Sequence, residues 1–329
     1  MNPELLEGIC AKIESHYVMA DRVPAIKERL GDRVKSGAYA SLEGEALAEA
    51  VTDDLRDVSG DVHFKLAFRS EARPHSAADV GETAEEVAEF RRIARFNGYG
   101  CERVERLPGN VGLWRISEFY DLIDGSGPAF VAAMRLLEST DALIVDVRGN
   151  SGGDPATVAL ACSFFFDVEP VHLNTLESDQ GRVQRQWWTL PHLECDRYLA
   201  KRVFVLIDER TFSAAEEFAY DLQALGRATT VGARSGGGAH LRESYPIDEH
   251  FSINVPVARA VNPHTLGNWE SVGVQPDVAV DPERGLEAAH CLALRSLSEG
   301  ELVGEAADEA RSALAELVAA HGWLSDMTA

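Results

Sequence analysis

Two segments hold residues whose types and order could carry acyl transfer. The first runs Leu143-Ile-Val-Asp-Val-Arg-Gly-Asn-Ser-Gly-Gly-Asp-Pro155. Its apolar stretch enters a turn at 149–153 and leaves into a helix, for which Asp154 suits the N-cap and Pro155 the first helical position. Gly152 and Gly153 keep Cβ atoms out of the way, so backbone N–H groups could approach a ligand and hold an anion, including a developing oxyanion. A tight strand-to-helix turn has the same need for glycine, so this segment alone leaves both readings open. In the second segment an apolar strand ends near Ile207 and Ser213 opens a helix. Ser213 and Glu216 have the spacing of a capping box, which would make the serine a cap. The same position would set a nucleophilic hydroxyl where the helix dipole and free N–H groups stabilise negative charge. Ala214 and Ala215 leave room for attack there, and the Ala214 N–H would be one oxyanion donor. Thr211-Phe-Ser-Ala-Ala215 is not a G-x-S-x-G elbow, and the glycine turn has neither a G-x-G-x-x-G fingerprint nor a Walker lysine.

These segments need elements to hold them. Strand-like runs at 111–116, 142–147, 203–207, 229–231 and 251–257 alternate with helical runs at 127–138, 155–165 and 214–225, which implies an α/β domain. Upstream, Leu5, Leu6, Ile9 and Ile13, then Val23, Ile26 and Leu30, then Leu47, Val51 and Leu55 recur at helical spacing. They predict a small bundle ending at Gly60. His63 to Phe68 alternates as a half-buried strand, residues 70–90 read as a loop leading into a polar helix near 83–94, and 285–321 is helical and acidic.

Composition narrows the function. The 329 residues carry 54 acidic against 31 basic side chains, a net charge of −23 that repels phosphate backbones, so nucleic acid is not an expected partner. Five cysteines without CxxC spacing predict reduced thiols rather than a disulfide framework or zinc ribbon. The ten histidines show no HExxH or other ligand spacing, so neither a metal nor another cofactor is expected. No apolar run approaches the roughly 18 residues of a membrane span, and the first residues lack signal-peptide character; a cytoplasmic protein is expected.

Together the blocks resemble the tail-specific, or C-terminal processing, serine peptidase family, including its branch with the tricorn protease core and the modules of interphotoreceptor retinoid-binding protein. The resemblance rests on Asp146-Val-Arg-Gly-Asn-Ser-Gly-Gly153, Thr211-Phe-Ser-Ala-Ala-Glu-Glu-Phe218, Leu225-Gly-Arg-Ala-Thr-Thr-Val-Gly232, Gly236-Gly-Gly-Ala-His240 and Trp269-Glu-Ser-Val-Gly-Val-Gln-Pro-Asp-Val-Ala-Val280, and covers roughly 100–285. It implies a crotonase-like ββα core of the ClpP/crotonase type. The expected layout is an N-terminal helical domain at 1–60, a strand and linker or lid at 61–110, the peptidase core at 111–285 and a C-terminal helical extension at 286–329.

The departures are informative. C-terminal processing proteases place a lysine where this chain has Gly238, so a Ser-Lys dyad is not expected, and Arg234 does not deprotonate near neutral pH. The tricorn branch implies a serine, histidine and glutamate instead, and His63 and Glu270 stand at those places. The serine that precedes the tricorn histidine is Val62 here. His240, after its glycine run, is the rival base or a substrate contact. The expected function is peptide-bond hydrolysis through an acyl-enzyme on Ser213, with His63 as base, Glu270 orienting it, and N–H groups of Gly152 or Gly153 and Ala214 holding the oxyanion. The substrate would be a peptide or protein. The alternative is a non-catalytic protein that binds an apolar ligand on the same fold; thioester chemistry of the crotonase type is a weaker third reading.

Overall fold

A computed structural model describes residues 2–72, 84–122, 125–178, 181–300 and 303–328. The chain begins with helices α1 (Pro3–His16), α2 (Val23–Lys35) and α3 (Gly44–Ser59), then strand β1 (Lys65–Phe68) and helix α4 (Ala84–Phe96). Next come β2 (Cys101–Leu107), β3 (Val111–Ile116), α5 (Ser126–Leu137), β4 (Ala142–Asp146) and α6 (Pro155–Ser163). The middle contributes β5 (His172–Glu177), β6 (Val183–Trp188), β7 (Arg202–Ile207), α7 (Ala214–Ala224) and β8 (Thr229–Gly232). The last elements are β9 (His240–Pro246), β10 (Phe251–Val261), β11 (Val278–Ala279), α8 (Gly285–Glu299) and α9 (Glu305–Ala320). The fold is mixed α/β, as the alternating runs predict. The loop read at 73–83 lies outside the described residues. All five cysteines are unpaired, and among the described residues no helix is long and apolar enough to cross a membrane.

The chain forms two compact units. The first comprises Met1–Val87, Thr175–Gln186 and Gly238–Val261. Its antiparallel sheet runs β1-β10-β5-β6, with β9 also paired to β10. The helical stripes read from the sequence are its core: Ile9, Ile13, Ile26, Leu30, Val51 and Leu55 pack with Phe64, Leu66, Ile253 and Val255. The three helices therefore share one core with strands that arrive almost two hundred residues later, and the division in space does not follow a boundary at residue 60. Gly60, with φ 69°, stops α3 in the left-handed conformation that glycine adopts at little cost. The run from His63 joins the sheet only at Lys65, because the His63 N–H turns back to Asp61 Oδ1 at 3.0 Å.

The second unit comprises Ala88–Asn174, Trp187–Gly237 and Asn262–Ala329. Its sheet runs β11-β8-β7-β4-β3-β2, parallel from β11 through β3 with β2 antiparallel at one edge. A parallel sheet must be covered on both faces. On one face Val111, Leu113, Ile144 and Leu206 meet Ala288, Ala293, Leu294 and Ala310, so α8 and α9 belong to this core. Side chains alternate along β3, so Trp114 points the other way, edge-on to Phe130 of α5 at 4.9 Å between ring centroids. Phe119 in turn meets Phe218 of α7 at 5.7 Å, which fixes that helix against the same layer.

Candidate active site

In the second unit the strands β4 and β7 lie side by side in parallel, with Asp146 opposite Leu206. Their C-terminal ends therefore deliver the two informative turns to one place. Asp208 ties the turns together. Its Oδ1 accepts the N–H of Gly149 at 2.9 Å from the glycine turn and that of Thr211 at 2.9 Å from its own. Thr211 Oγ1 donates to the Val147 carbonyl at 2.9 Å, and Phe212 N–H to the Asn150 carbonyl at 2.9 Å. Ser213 follows as the N-cap of α7, half-buried, at φ 52° and ψ −122°. A non-glycine residue there stores strain, of about 1–3 kcal/mol, and such strain persists only where the surroundings over-determine it.

Gly152 lies against this serine. A Cβ built on it would stand 2.8 Å from Ser213 Cβ, 2.9 Å from the Ala214 nitrogen and 3.0 Å from the Phe212 carbonyl oxygen. Its φ of 115° is itself a glycine conformation. The two glycines expected as oxyanion donors differ. The Gly152 N–H donates to Asn150 Oδ1 at 2.8 Å, an Asx turn that the sequence reading did not anticipate. The Gly153 N–H and the Ala214 N–H make no hydrogen bond among the described residues. Gly153 is fixed from behind: Phe119 N–H donates to the Gly152 carbonyl at 2.8 Å, and Asp154 N–H to the Phe119 carbonyl at 2.7 Å. The Gly152 N–H is thus engaged within its own turn, and that of Gly153 is not.

Glu216, legible from its spacing only as a helix cap, is a fully buried hub. Its Oε2 accepts the Ser213 N–H at 2.9 Å, and its Oε1 accepts Ser235 Oγ at 2.5 Å and Gly237 N–H at 2.7 Å. The Gly237 carbonyl then accepts the Ser271 N–H at 2.8 Å. One carboxylate therefore links the serine backbone to the 235–237 loop and, through it, to the loop that carries Glu270. Glu270 is half-buried there beside the buried Trp269, its N–H on Asn268 Oδ1 at 3.0 Å.

One turn further along α7, Glu217 and Asp221 are buried together, and Glu217 Oε1 and Asp221 Oδ2 have no hydrogen-bond partner among the described residues. Burial pushes the Glu217 carboxyl up to about 7, with the Asp154 charge adding to it. Burial, then the charge of Glu217, raises Asp221 as well. A carboxyl whose folded-state pKa is raised lends stability that is complete below its unfolded value and is lost as pH rises through the folded value. The melting temperature should therefore fall between pH 5 and pH 8. Glu217→Gln should flatten that dependence in a calorimetric pH series; an unchanged slope would show that the pair is ionised throughout.

His63 and His240 belong to the first unit, where both gather on Asp61, whose carboxylate is almost entirely buried. His240 Nδ1 is 2.6 Å from Asp61 Oδ2, and His63 Nδ1 is 3.5 Å from Oδ1. Burial alone would raise the Asp61 carboxyl, but the hydrogen bonds of His240 and His63 outweigh it and hold the group well below the ordinary carboxylate range. His240, the rival base, opens β9 opposite Arg259 and is buried. Asp61 was missed as a site residue. The signal was its place two residues before His63, the spacing of an Asx turn.

With this geometry in place, comparison with known proteins is decisive at the level of family. The family model for peptidase family S41 matches residues 110–280. The chain belongs to this family. Residues 1–93 match the model described as the N-terminal domain of peptidase S41 in eukaryotic IRBP. The S41 chain is 28% identical over 174 residues to carboxy-terminal processing protease CtpB of Bacillus subtilis (strain 168), a match covering 52% of this chain and 34% of that protein. It thus spans about a third of that relative's length. Among solved structures, a candidate peptidase from Parabacteroides merdae ATCC 43184 superposes with TM-score 0.64 at 19% identity, covering 91% of this chain and 98% of that one. The photosystem II D1 C-terminal processing protease superposes with TM-score 0.52 at 16% identity, covering 86% and 94%. At these identities the structural matches speak to the fold.

Proposed function

We propose that this S41 protein is a serine peptidase that hydrolyses peptide bonds of a peptide or protein through an acyl-enzyme on Ser213. The observation that carries the reading is the setting of Ser213: a strained N-cap against Gly152, followed by the Ala214 N–H, which makes no hydrogen bond among the described residues. In the forward step Ser213 Oγ attacks the scissile carbonyl, and an imidazole takes the hydroxyl proton. The carbonyl oxygen becomes an oxyanion facing the Gly153 and Ala214 N–H groups. The imidazolium then protonates the leaving amine, and water repeats the sequence to release the acid. We assign the base to His63 and its orientation to Glu270, as the tricorn resemblance implies. Gly238 in place of the lysine argues against a Ser-Lys dyad. The strand–helix alternation of β3, α5, β4, α6, β7 and α7 supports reading the second unit as a crotonase-like core. Because the named relative is a carboxy-terminal processing protease, the natural substrate is proposed to be a protein cut near its C-terminus. The matches favour this enzyme over the apolar-ligand binding protein.

The 2.6 Å contact of His240 Nδ1 with Asp61 favours a second assignment, in which His240 is the base and Asp61 its carboxylate. Hydrolysis of a quenched fluorogenic peptide library tests the function itself. Wild type should cleave, and Ser213→Ala should fall to background while its circular dichroism stays native, the lost cap costing about 1 kcal/mol. Residual cleavage by Ser213→Ala would overturn the assignment.

A further inference from the structure

The carboxylate of Asp61 has four polar neighbours and almost no exposure. Its Oδ1 accepts the His63 backbone N–H at 3.0 Å and faces His63 Nδ1 at 3.5 Å. Its Oδ2 meets His240 Nδ1 at 2.6 Å and the Tyr17 hydroxyl at 3.5 Å. The aspartate is held from both sides. Its own N–H donates to Ser59 Oγ at 3.1 Å, and Ser59 Oγ donates to the Leu55 carbonyl at 2.7 Å, so the last turn of α3 fixes it. A carboxylate that only capped a turn would need the His63 N–H and nothing more. Here it takes His240 through the ring, Nδ1 at 2.6 Å from Oδ2, and His63 through the backbone N–H, the His63 ring nitrogen standing at 3.5 Å, beyond hydrogen-bond geometry. An ionised carboxylate accepts only, so it selects the tautomer protonated at Nδ1 and leaves Nε2 as the basic nitrogen.

From this arrangement we infer that Asp61 is a positioning residue for the reaction, fixing the ring of His240 with Nδ1 protonated and Nε2 available as the base, and fixing His63 through its backbone N–H. It acts through the histidines and does not itself touch substrate. The inference holds whichever histidine serves Ser213, and it rests on the reading that a histidine activates that serine. It accounts for a buried aspartate and two buried histidines meeting in a unit otherwise built on an apolar core.

The test uses the full chain with 15N-labelled histidine, in wild type, Asp61→Asn and Asp61→Glu. Histidine 15N shifts report the tautomer without any turnover. Wild type should show His240 protonated at Nδ1 with Nε2 unprotonated. Asp61→Asn, nearly isosteric, should lose that preference because an amide can donate as well as accept. On peptide substrate Asp61→Asn should lower kcat by about 10²-fold or more with KM little changed, the signature of a wrongly held base. Asp61→Glu should recover part of the kcat. A wild-type His240 protonated at Nε2 overturns the inference at once, and so does an Asp61→Asn protein with unchanged kcat. If no variant or wild type cleaves peptide while the tautomers behave as stated, the positioning stands and the peptidase reading fails; the reverse pattern separates the two the other way.

Discussion

Gly152→Ala is expected to remove at least about 10²-fold of kcat, although it adds one methyl group and deletes no polar atom. The new Cβ would stand 2.8 Å from Ser213 Cβ and 2.9 Å from the Ala214 nitrogen. Neither neighbour can swing aside, since one is the serine and the other is backbone of the first turn of α7. The turn also runs at φ 115°, where alanine is strained. Relief requires parting the glycine turn from Ser213, which moves the Gly153 and Ala214 N–H groups away from one oxyanion position. Loss of a single such donor is worth about 10²–10³-fold. The damage should fall on kcat rather than KM, because the donors act in the transition state. Steady-state kinetics check this; a variant within a few-fold of wild type would mean that the oxyanion forms elsewhere.

The second large effect concerns the base. His63→Ala should cost orders of magnitude in turnover and His240→Ala much less. Both rings sit on Asp61, so both variants disturb the same carboxylate, and stability alone does not separate them. Turnover does. With His63 removed, activity should fall on kcat while Gln in place of His240 leaves most of it. The opposite ranking would move the base to His240 and make the 2.6 Å pair with Asp61 its orienting contact.

Much of the second unit was legible because its inner strands are buried on both faces and read as short apolar runs, such as Ala142–Asp146 and Arg202–Ile207. The glycine turn and the serine helix were legible for the same reason: each follows such a run. The strands β2, β6 and β9 were not, since each carries exposed charged or polar side chains at successive positions. Edge strands of this kind lack the alternation that marks a half-buried strand. The strand that holds the His240 ring, β9, thus went unseen. Glu216 was visible as a cap, but its bonds to Ser235 and Gly237 depend on a loop that folds back from twenty residues downstream. Asn150 takes up the Gly152 N–H at the same two-residue Asx spacing that joins Asp61 to His63, a signal that went unread in both places.

Covalent labelling tests Ser213 as the nucleophile. Wild-type protein treated with a fluorophosphonate should gain one adduct, and peptide mapping by mass spectrometry should place it on Ser213. Ser213→Ala should gain none. An adduct on another serine, or a folded wild type that takes up no probe, would contradict the account.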